Sequence, residues 1–168
     1  ERLDTGGEGL LRVLIGYHPE DSNVGKRAET GFKILYEEGE YILGLAFPKT
    51  GRQHQIRVHA LAHGFPLLGD KIYYGSYPMF QRFKDLLASP EDYAYMQLPR
   101  HALHATAINI PWPNSKDKAQ NEQDEPRRTF YCNPSLDMSN WIRENLSLDY
   151  DKFFAEAKEV IEASFQKR

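Results

Sequence analysis

The chain has 168 residues, 40% of them hydrophobic, and a mean hydropathy of -0.64. This composition is typical of a soluble globular domain, and no apolar run is long enough to cross a bilayer. The formal net charge of -3 argues against a broad polyelectrolyte binder, because such a protein gains its affinity from many neutralised phosphates. With Cys132 as its one cysteine, the chain cannot form an internal disulfide, which favours the cytoplasm. We expect a single domain over residues 1–168.

The first half of the chain predicts a loop followed by strands. Residues 1–9 are rich in glycine and polar residues, so we expect a loop or frayed end. Leu10–Ile15 has the composition of a strand. Phe32–Tyr36 and Tyr41–Phe47 alternate as the two arms of an antiparallel hairpin, with Gly39 in the turn between them.

A short helix is predicted directly after this hairpin. Thr50 and Gln53 have the spacing of a capping box, so the helix should begin near Gly51. Gly64 and then Pro66 provide a stop, because glycine accepts the left-handed conformation and proline cannot continue a helix.

The later helices and strands are also predicted from the spacing of apolar residues. Pro78–Ala88 and Pro90–Met96 predict helices, and Asp151–Phe165 carries an apolar stripe at helical spacing. Strands are predicted at Ala107–Ile110 and Thr129–Cys132. Residues 114–128 are charged and lack periodicity, which is typical of a surface loop. The predicted fold class is α+β, with a mainly antiparallel sheet and flanking helices.

The segment after the hairpin is the densest motif of the chain. Thr50–His59 reads TGRQHQIRVH, and it is followed by Gly64-Phe65-Pro66, by Gly69-Asp70 and by Tyr73. This order and spacing resembles the signature of the RluA-type pseudouridine synthases, which act on ribosomal or transfer RNA. Three other segments resemble further parts of that family: Gly25–Thr30, Arg100–Ala105 and Asn133–Met138.

The resemblance implies an isomerase that converts uridine to pseudouridine in structured RNA without metal or organic cofactor. In that family an aspartate attacks the uridine and an arginine pairs with the aspartate. Motif alignment places the arginine at Arg57. A guanidinium fork can hold a carboxylate by two parallel hydrogen bonds, which lysine cannot reproduce. The alternative for Arg57 is an ordinary surface ion pair.

The aspartate is harder to place. Arg2-Leu3-Asp4 matches the beginning of the family pattern RLD-x-x-TSG, but Gly7-Glu8-Gly9 stands where TSG is expected, and the spacing to Arg57 is shorter than in the family. Asp4 is therefore a candidate nucleophile, and a flexible loop is the alternative. The chain then corresponds to the C-terminal part of a catalytic domain truncated at its N-terminus. The alternative function is a non-catalytic RNA-binding module or an inactive fragment.

The section from Lys49 to His104 carries seven Lys or Arg against four acids, and five of the six histidines. Any RNA-binding face is expected there. The candidate RNA contacts are Arg52, His54, His59, Arg100 and His104.

Three further hypotheses concern this section. His59 and His63 stand one helical turn apart, which raises the possibility of a metal-dependent hydrolase, but HALAH lacks the glutamate of the zinc motif HExxH, so no metal is expected. Asp70 is chemically able to act as a second nucleophile, although Gly-Asp is more typical of a turn. Tyr73, with two neighbouring tyrosines, either packs in the core or stacks on RNA bases.

Overall fold

The computed structural model describes residues 2–5, 15–112 and 126–166. They fall in two compact units, residues 1–103 and residues 104–168. The described residues form small antiparallel sheets and five helices, so the predicted mixture of helix and antiparallel strand is confirmed. The single domain over residues 1–168 stays a prediction. None of the described helices is long and apolar enough to span a membrane.

The first unit opens with a three-stranded antiparallel sheet of order β2-β1-β3, formed by β1 (Arg2–Thr5), β2 (Ile15–His18) and β3 (Lys26–Arg27). The predicted loop over residues 1–9 is therefore wrong at β1. This segment is a strand because it pairs on both sides and because Leu3 is buried in the core, 5% exposed. Residues 6–9, and residues 10–14 of the predicted strand, lie outside the described part of the chain.

The predicted hairpin is confirmed as β4 (Thr30–Glu38) and β5 (Tyr41–Pro48). Its turn contains Gly39 at φ 58°, the left-handed conformation that glycine adopts without steric cost. The register shifts between Ile34 and Tyr36, which indicates a β-bulge. This hairpin leads the chain into the signature segment.

Helix α1 (Gln55–Ala62) begins later than predicted. The expected capping box is absent, because the Thr50 hydroxyl accepts from the backbone N–H of Glu29 and donates to the side chain of Gln55. His54 occupies the N-cap position at φ 54° and makes no side-chain capping bond. The predicted stop is confirmed, with Gly64 at φ 84° after the last turn.

Helices α2 (Tyr77–Lys84) and α3 (Pro90–Met96) follow, the second with the predicted bounds and the first shorter than predicted. The core of this unit joins β1, β2 and α1 with the segment after α1. Its buried cluster consists of Leu3, Ile15, Ala28, Val58 and Tyr73.

The second unit contains the antiparallel pair β6 (Ala107–Pro111) and β7 (Arg127–Tyr131), then α4 (Leu136–Asn145) and α5 (Tyr150–Gln166). The predicted loop over residues 114–128 is wrong at its last two positions, which pair with the end of β6. Residues 114–125 lie outside the described chain. Helix α4 has no counterpart among the predicted elements.

Candidate active site

A buried arginine–aspartate pair lies in the signature segment. Arg57 on α1 donates from Nε to Oδ2 of Asp70 and from Nη2 to Oδ1, both at 2.6 Å. The Arg57 side chain is 12% exposed and the Asp70 side chain 0%. The two parallel charge-assisted bonds are the arrangement that a planar guanidinium makes with a carboxylate. The pair is thus fixed in orientation and largely shielded from water.

Asp70 is held by its own backbone turn as well as by Arg57. Its Oδ1 accepts from the N–H groups of Ile72 and Tyr73, at 3.0 Å and 3.2 Å. Burial by itself raises the pKa of Asp70, but the bonds and charge of Arg57 and these two N–H groups outweigh it, so the pKa lies below the ordinary 3.8. Asp70 is therefore ionised, and both of its carboxylate oxygens accept hydrogen bonds. It orients Arg57 and closes a turn, and this geometry does not suit a nucleophile.

Tyr73 links the ion pair to the rest of the unit. The Arg57 guanidinium lies over its ring, with Cζ 4.9 Å from the ring centroid. Its hydroxyl is 3.0 Å from the backbone N of Ile15 in β2 and 2.9 Å from Nδ1 of His54. Tyr73 is 7% exposed, so its ring belongs to the core and is not a platform for RNA bases.

Two histidines lie within electrostatic range of this pair. The pKa of His54 is lowered by burial and then by the charge of Arg57, while Asp70 acts in the opposite direction. The pKa of His101 is lowered by burial first and by Arg57 next. Both imidazoles therefore favour their neutral forms. His101 was not among the predicted contacts, although it lies in the segment Arg100–Ala105 quoted above.

The segment around His101 approaches the Asp70 turn closely. Gly69 has φ 72°, and a Cβ at this position would lie 2.3 Å from the carbonyl oxygen of Arg100. The backbone N–H of Ala102 donates to the carbonyl of Leu68 at 2.8 Å. Glycine is required at position 69 both by the backbone conformation and by this contact.

The comparisons agree with the signature. The chain is 35% identical over 114 residues to "Ribosomal large subunit pseudouridine synthase D" of Nitrosomonas europaea, which is 64% of this chain and 30% of that protein. It is 38% identical over 90 residues to "Dual-specificity RNA pseudouridine synthase RluA" of Escherichia coli, which is 53% of this chain and 34% of that protein. No protein-family model matches.

About half of the chain is therefore similar to curated pseudouridine synthases of the RluA and D types. The chain spans about a third of the length of these two curated relatives. A shorter match, 51% identical over 49 residues, joins it to "Ribosomal large subunit pseudouridine synthase D" of Borreliella burgdorferi.

In the motif TGRQHQ, residues 50–55, a polar network surrounds the last residue, Gln55, which is 4% exposed. Its Oε1 accepts from the Thr50 hydroxyl at 2.7 Å and from the Arg52 N–H at 3.0 Å. Its Nε2 donates to the Glu29 carbonyl and to the Thr30 hydroxyl, both at 2.9 Å. The Nε2 bonds tie the start of α1 to the β4 end of the hairpin, and the Oε1 bonds hold the segment directly before α1, so this residue of the motif is structural.

One predicted RNA contact is corrected. His59 is 4% exposed, and its Nδ1 lies 2.9 Å from the Thr30 hydroxyl. A side chain buried to this extent cannot reach an RNA backbone, so His59 belongs to the packing of α1 against the hairpin. The predicted contact depends on the many histidines and cations in this section of the sequence, and their number does not reveal which face of α1 is buried.

The other predicted contacts occupy different surroundings. Arg52 is exposed and donates from Nε to the Arg27 carbonyl at 3.3 Å. Arg100 bonds the carbonyls of its own segment at 3.5 Å. His104 belongs to the second unit, where its Nε2 lies 2.9 Å from the Cys132 carbonyl. Their roles in RNA binding stay predictions.

The candidate nucleophile is placed by its backbone alone. Asp4 lies in β1 opposite Gly16 of β2, and Ile15 of β2 donates to the Tyr73 hydroxyl. The side chain of Asp4 lies outside the described residues. As for metal, no group of three or more His, Cys, Asp or Glu in residues 2–5, 15–112 and 126–166 could hold an ion.

Proposed function

We propose that this chain is the catalytic part of a cytoplasmic RNA pseudouridine synthase and has the pseudouridine synthase fold. Its substrate is uridine in ribosomal or transfer RNA, and its product is pseudouridine. The observation that carries the proposal is the buried bidentate pair of Arg57 and Asp70 inside the RluA-type signature. The names of the related proteins support the same reaction.

Arg57 suits this reaction because only one edge of its guanidinium is occupied by Asp70. The bonds use Nε and Nη2, and no hydrogen bond joins Nη1 to any described residue. That nitrogen is therefore able to donate to a second carboxylate or to a uridine oxygen. Because Asp70 fixes the plane of the group, the donor is oriented before the substrate arrives, which lowers the cost of charge development during the reaction.

Asp4 is the nucleophile that this proposal requires. Its backbone lies in β1, and β1 pairs with the strand whose Ile15 bonds the Tyr73 hydroxyl. A carboxylate from β1 would attack the uridine, the glycosidic bond would break, and the base would rotate and rejoin through carbon. The proposed reaction uses no metal or organic cofactor.

The substrate must leave its stack before it can be attacked. Enzymes that act on a base extrude the nucleotide into a pocket and hold the neighbouring backbone. Arg52, His54 and Arg100 are the proposed contacts to that backbone, and Arg52 is the exposed one among them. His104, in the second unit, is a further proposed RNA contact. RNA is the proposed partner, and no membrane is involved in the proposal.

The test is tritium release from transcripts made in vitro with tritium at carbon 5 of uridine. In vitro transcripts are used because they contain no pseudouridine. Ribosomal and transfer RNA transcripts are tested as separate pools, so that the result shows which class of RNA is the substrate. The full chain should release tritium from one pool, and Asp4→Asn should abolish release while RNA binding persists. RNA binding without release from either pool would overturn the synthase and support the non-catalytic module.

A further inference from the structure

His54 is held in an unfavourable backbone conformation beside the ion pair. Its φ of 54° places a non-glycine residue in the left-handed region at the start of α1. Such conformations cost free energy, and they concentrate at functional sites where surrounding contacts maintain them. Here the contact is with Tyr73, whose ring meets the imidazole edge to face, with centroids 5.6 Å apart at 86°.

The hydrogen bonds of Tyr73 determine where the His54 proton lies. The N–H of Ile15 donates to the Tyr73 hydroxyl oxygen, which lies 2.9 Å from Nδ1 of His54. Among the described residues, Nδ1 is the only available acceptor for the Tyr73 hydroxyl hydrogen. Tyr73 is 7% exposed, and its hydroxyl would lose free energy if the hydrogen had no acceptor. Nδ1 therefore accepts, and the imidazole proton must be on Nε2.

The electrostatics agree with this arrangement. Burial raises the pKa of Tyr73, so the hydroxyl keeps its hydrogen near neutral pH. Burial and the Arg57 charge lower the pKa of His54, so the imidazole remains neutral and carries one proton. The residue is partly exposed, and Nε2 is the ring nitrogen that is not bonded to the Tyr73 hydroxyl.

We propose that Tyr73 fixes His54 as the Nε2–H tautomer, and that this N–H donates to an oxygen of the RNA next to Arg57. Tyr73 is then a positioning residue, and His54 is a neutral donor in the RNA contact. The acceptor is a phosphate oxygen or a uracil carbonyl. The inference rests on the proposed function only in taking RNA as the ligand.

The first test observes the tautomer in the full chain. In a protein with ¹⁵N-labelled histidine, long-range proton–nitrogen correlation spectra near neutral pH should show His54 with protonated Nε2 and bare Nδ1. Tyr73→Phe should remove this preference, while the matched control Tyr74→Phe should leave it intact. A proton on Nδ1 of wild-type His54 would overturn the proposal without any variant.

The second test separates a donor from a side chain that only fills space. Glutamine places an amide N–H near the position of Nε2, whereas methionine has similar size without a donor, and both bear the same backbone strain. With a fluorescein-labelled RNA stem–loop that has uridines in its loop, His54→Met should bind about 10-fold more weakly, and His54→Gln should stay close to wild type. His63→Gln, in the same segment, is the control and should not change binding. Equal losses for glutamine and methionine would overturn the donor.

The salt dependence distinguishes a neutral donor from a charged one. A neutral N–H releases no counterion, so His54→Met should leave the slope of log Kd against log salt unchanged, whereas loss of a charged phosphate contact reduces it by about 1. A reduced slope for His54→Met would overturn the neutral tautomer.

An abasic residue in place of the looped uridine then identifies the acceptor. The glutamine–methionine difference should vanish if the acceptor is a uracil carbonyl and persist if it is a phosphate, and either result supports the donor. Absence of tritium release together with these binding results would overturn the proposed function and leave the His54 assignment standing.

Discussion

Two arginine–aspartate pairs in residues 1–103 have the same bidentate form and different surroundings. Arg57 donates from Nε to Asp70 at 2.6 Å, and Arg82 donates from Nε to Asp92 at 2.7 Å. In the first pair the arginine side chain is 12% exposed, and in the second it is 42% exposed. Sequence spacing alone does not separate them, because each joins a helix to an aspartate in the segment that follows.

The difference lies in what surrounds each pair. Asp92 is also part of the capping box of α3, where it accepts from the Ser89 N–H at 3.0 Å, and the bonds from Arg82 and Ser89 lower its pKa to about 2. That pair therefore joins α2 to α3. Arg57 lies instead over Tyr73, within electrostatic range of His54. The same ion pair thus supports a helix connection in one place and a candidate active site in the other.

Exchange of each arginine for lysine should give the largest contrast. Lysine keeps the charge but cannot make two parallel bonds, so the donor at position 57 loses its fixed orientation. We expect Arg57→Lys to reduce tritium release roughly 100-fold or more, as misplaced catalytic groups commonly do. Arg82→Lys should retain near-normal release. Comparable losses in both variants would place Arg57 among structural residues.

Neutralising the aspartate should lower the free energy of unfolding by different amounts in the two pairs. Asp70→Asn leaves the Arg57 guanidinium buried without its counterion, which should lower the free energy of unfolding by about 3 kcal/mol. Asp92→Asn should cost less, because water reaches Arg82 and screens its charge. Urea denaturation of both variants measures the difference. If Asp92→Asn proved the more damaging, the account of burial given for the two pairs would be wrong.

The sequence predicts several local elements, but not that Arg57 contacts Asp70. The hairpin turn at Gly39, the stop at Gly64 and the bounds of Pro90–Met96 follow from residues close to each other in the chain. The Tyr73 hydroxyl, in contrast, bonds a backbone N–H 58 positions away. No local pattern contains that contact, so the sequence does not decide whether Tyr73 packs in the core or stacks on RNA bases.

The remaining errors have the same origin. The sequence predicts a loop at Arg2–Thr5 because the neighbouring residues are rich in glycine, whereas pairing with β2 and β3 makes this segment a strand. Helix α1 was predicted to begin too early because Thr50 suits a cap, whereas its hydroxyl bonds Gln55 and the N–H of Glu29. Tertiary partners outweighed local preference in both cases.

Alanine substitutions at two glycines test whether the turn that holds Asp70 depends on close backbone packing. Gly64 and Gly69 both have positive φ, but a Cβ at Gly64 would meet nothing within 4 Å, whereas one at Gly69 would meet the Arg100 carbonyl oxygen. Gly64→Ala should therefore cost about 1 kcal/mol from conformation alone. Gly69→Ala should cost a further ~2 kcal/mol because backbone must move. Equal urea midpoints would show that the approach of Arg100 does not constrain the turn.

The smallest expected effect is the response of the Arg57 site to mild acid. His54 and His101 have pKa values below the ordinary 6.5 in the folded protein, because burial and then the charge of Arg57 oppose protonation, with Asp70 acting against them. The unfolded chain thus binds more protons once the pH falls below about 6.5, so the stability that these residues contribute above that pH is progressively lost.

The second pair should not respond over this range, because a carboxyl with a pKa of about 2 stays ionised. Urea midpoints at about pH 7.5 and about pH 5.5 should therefore fall more in the wild type than in His54→Gln, whose amide does not titrate. An equal fall in both proteins would mean that His54 takes up its proton as readily in the folded state as in the unfolded one, and the Arg57 site would then lose the electrostatic feature that distinguishes it from the Arg82 pair.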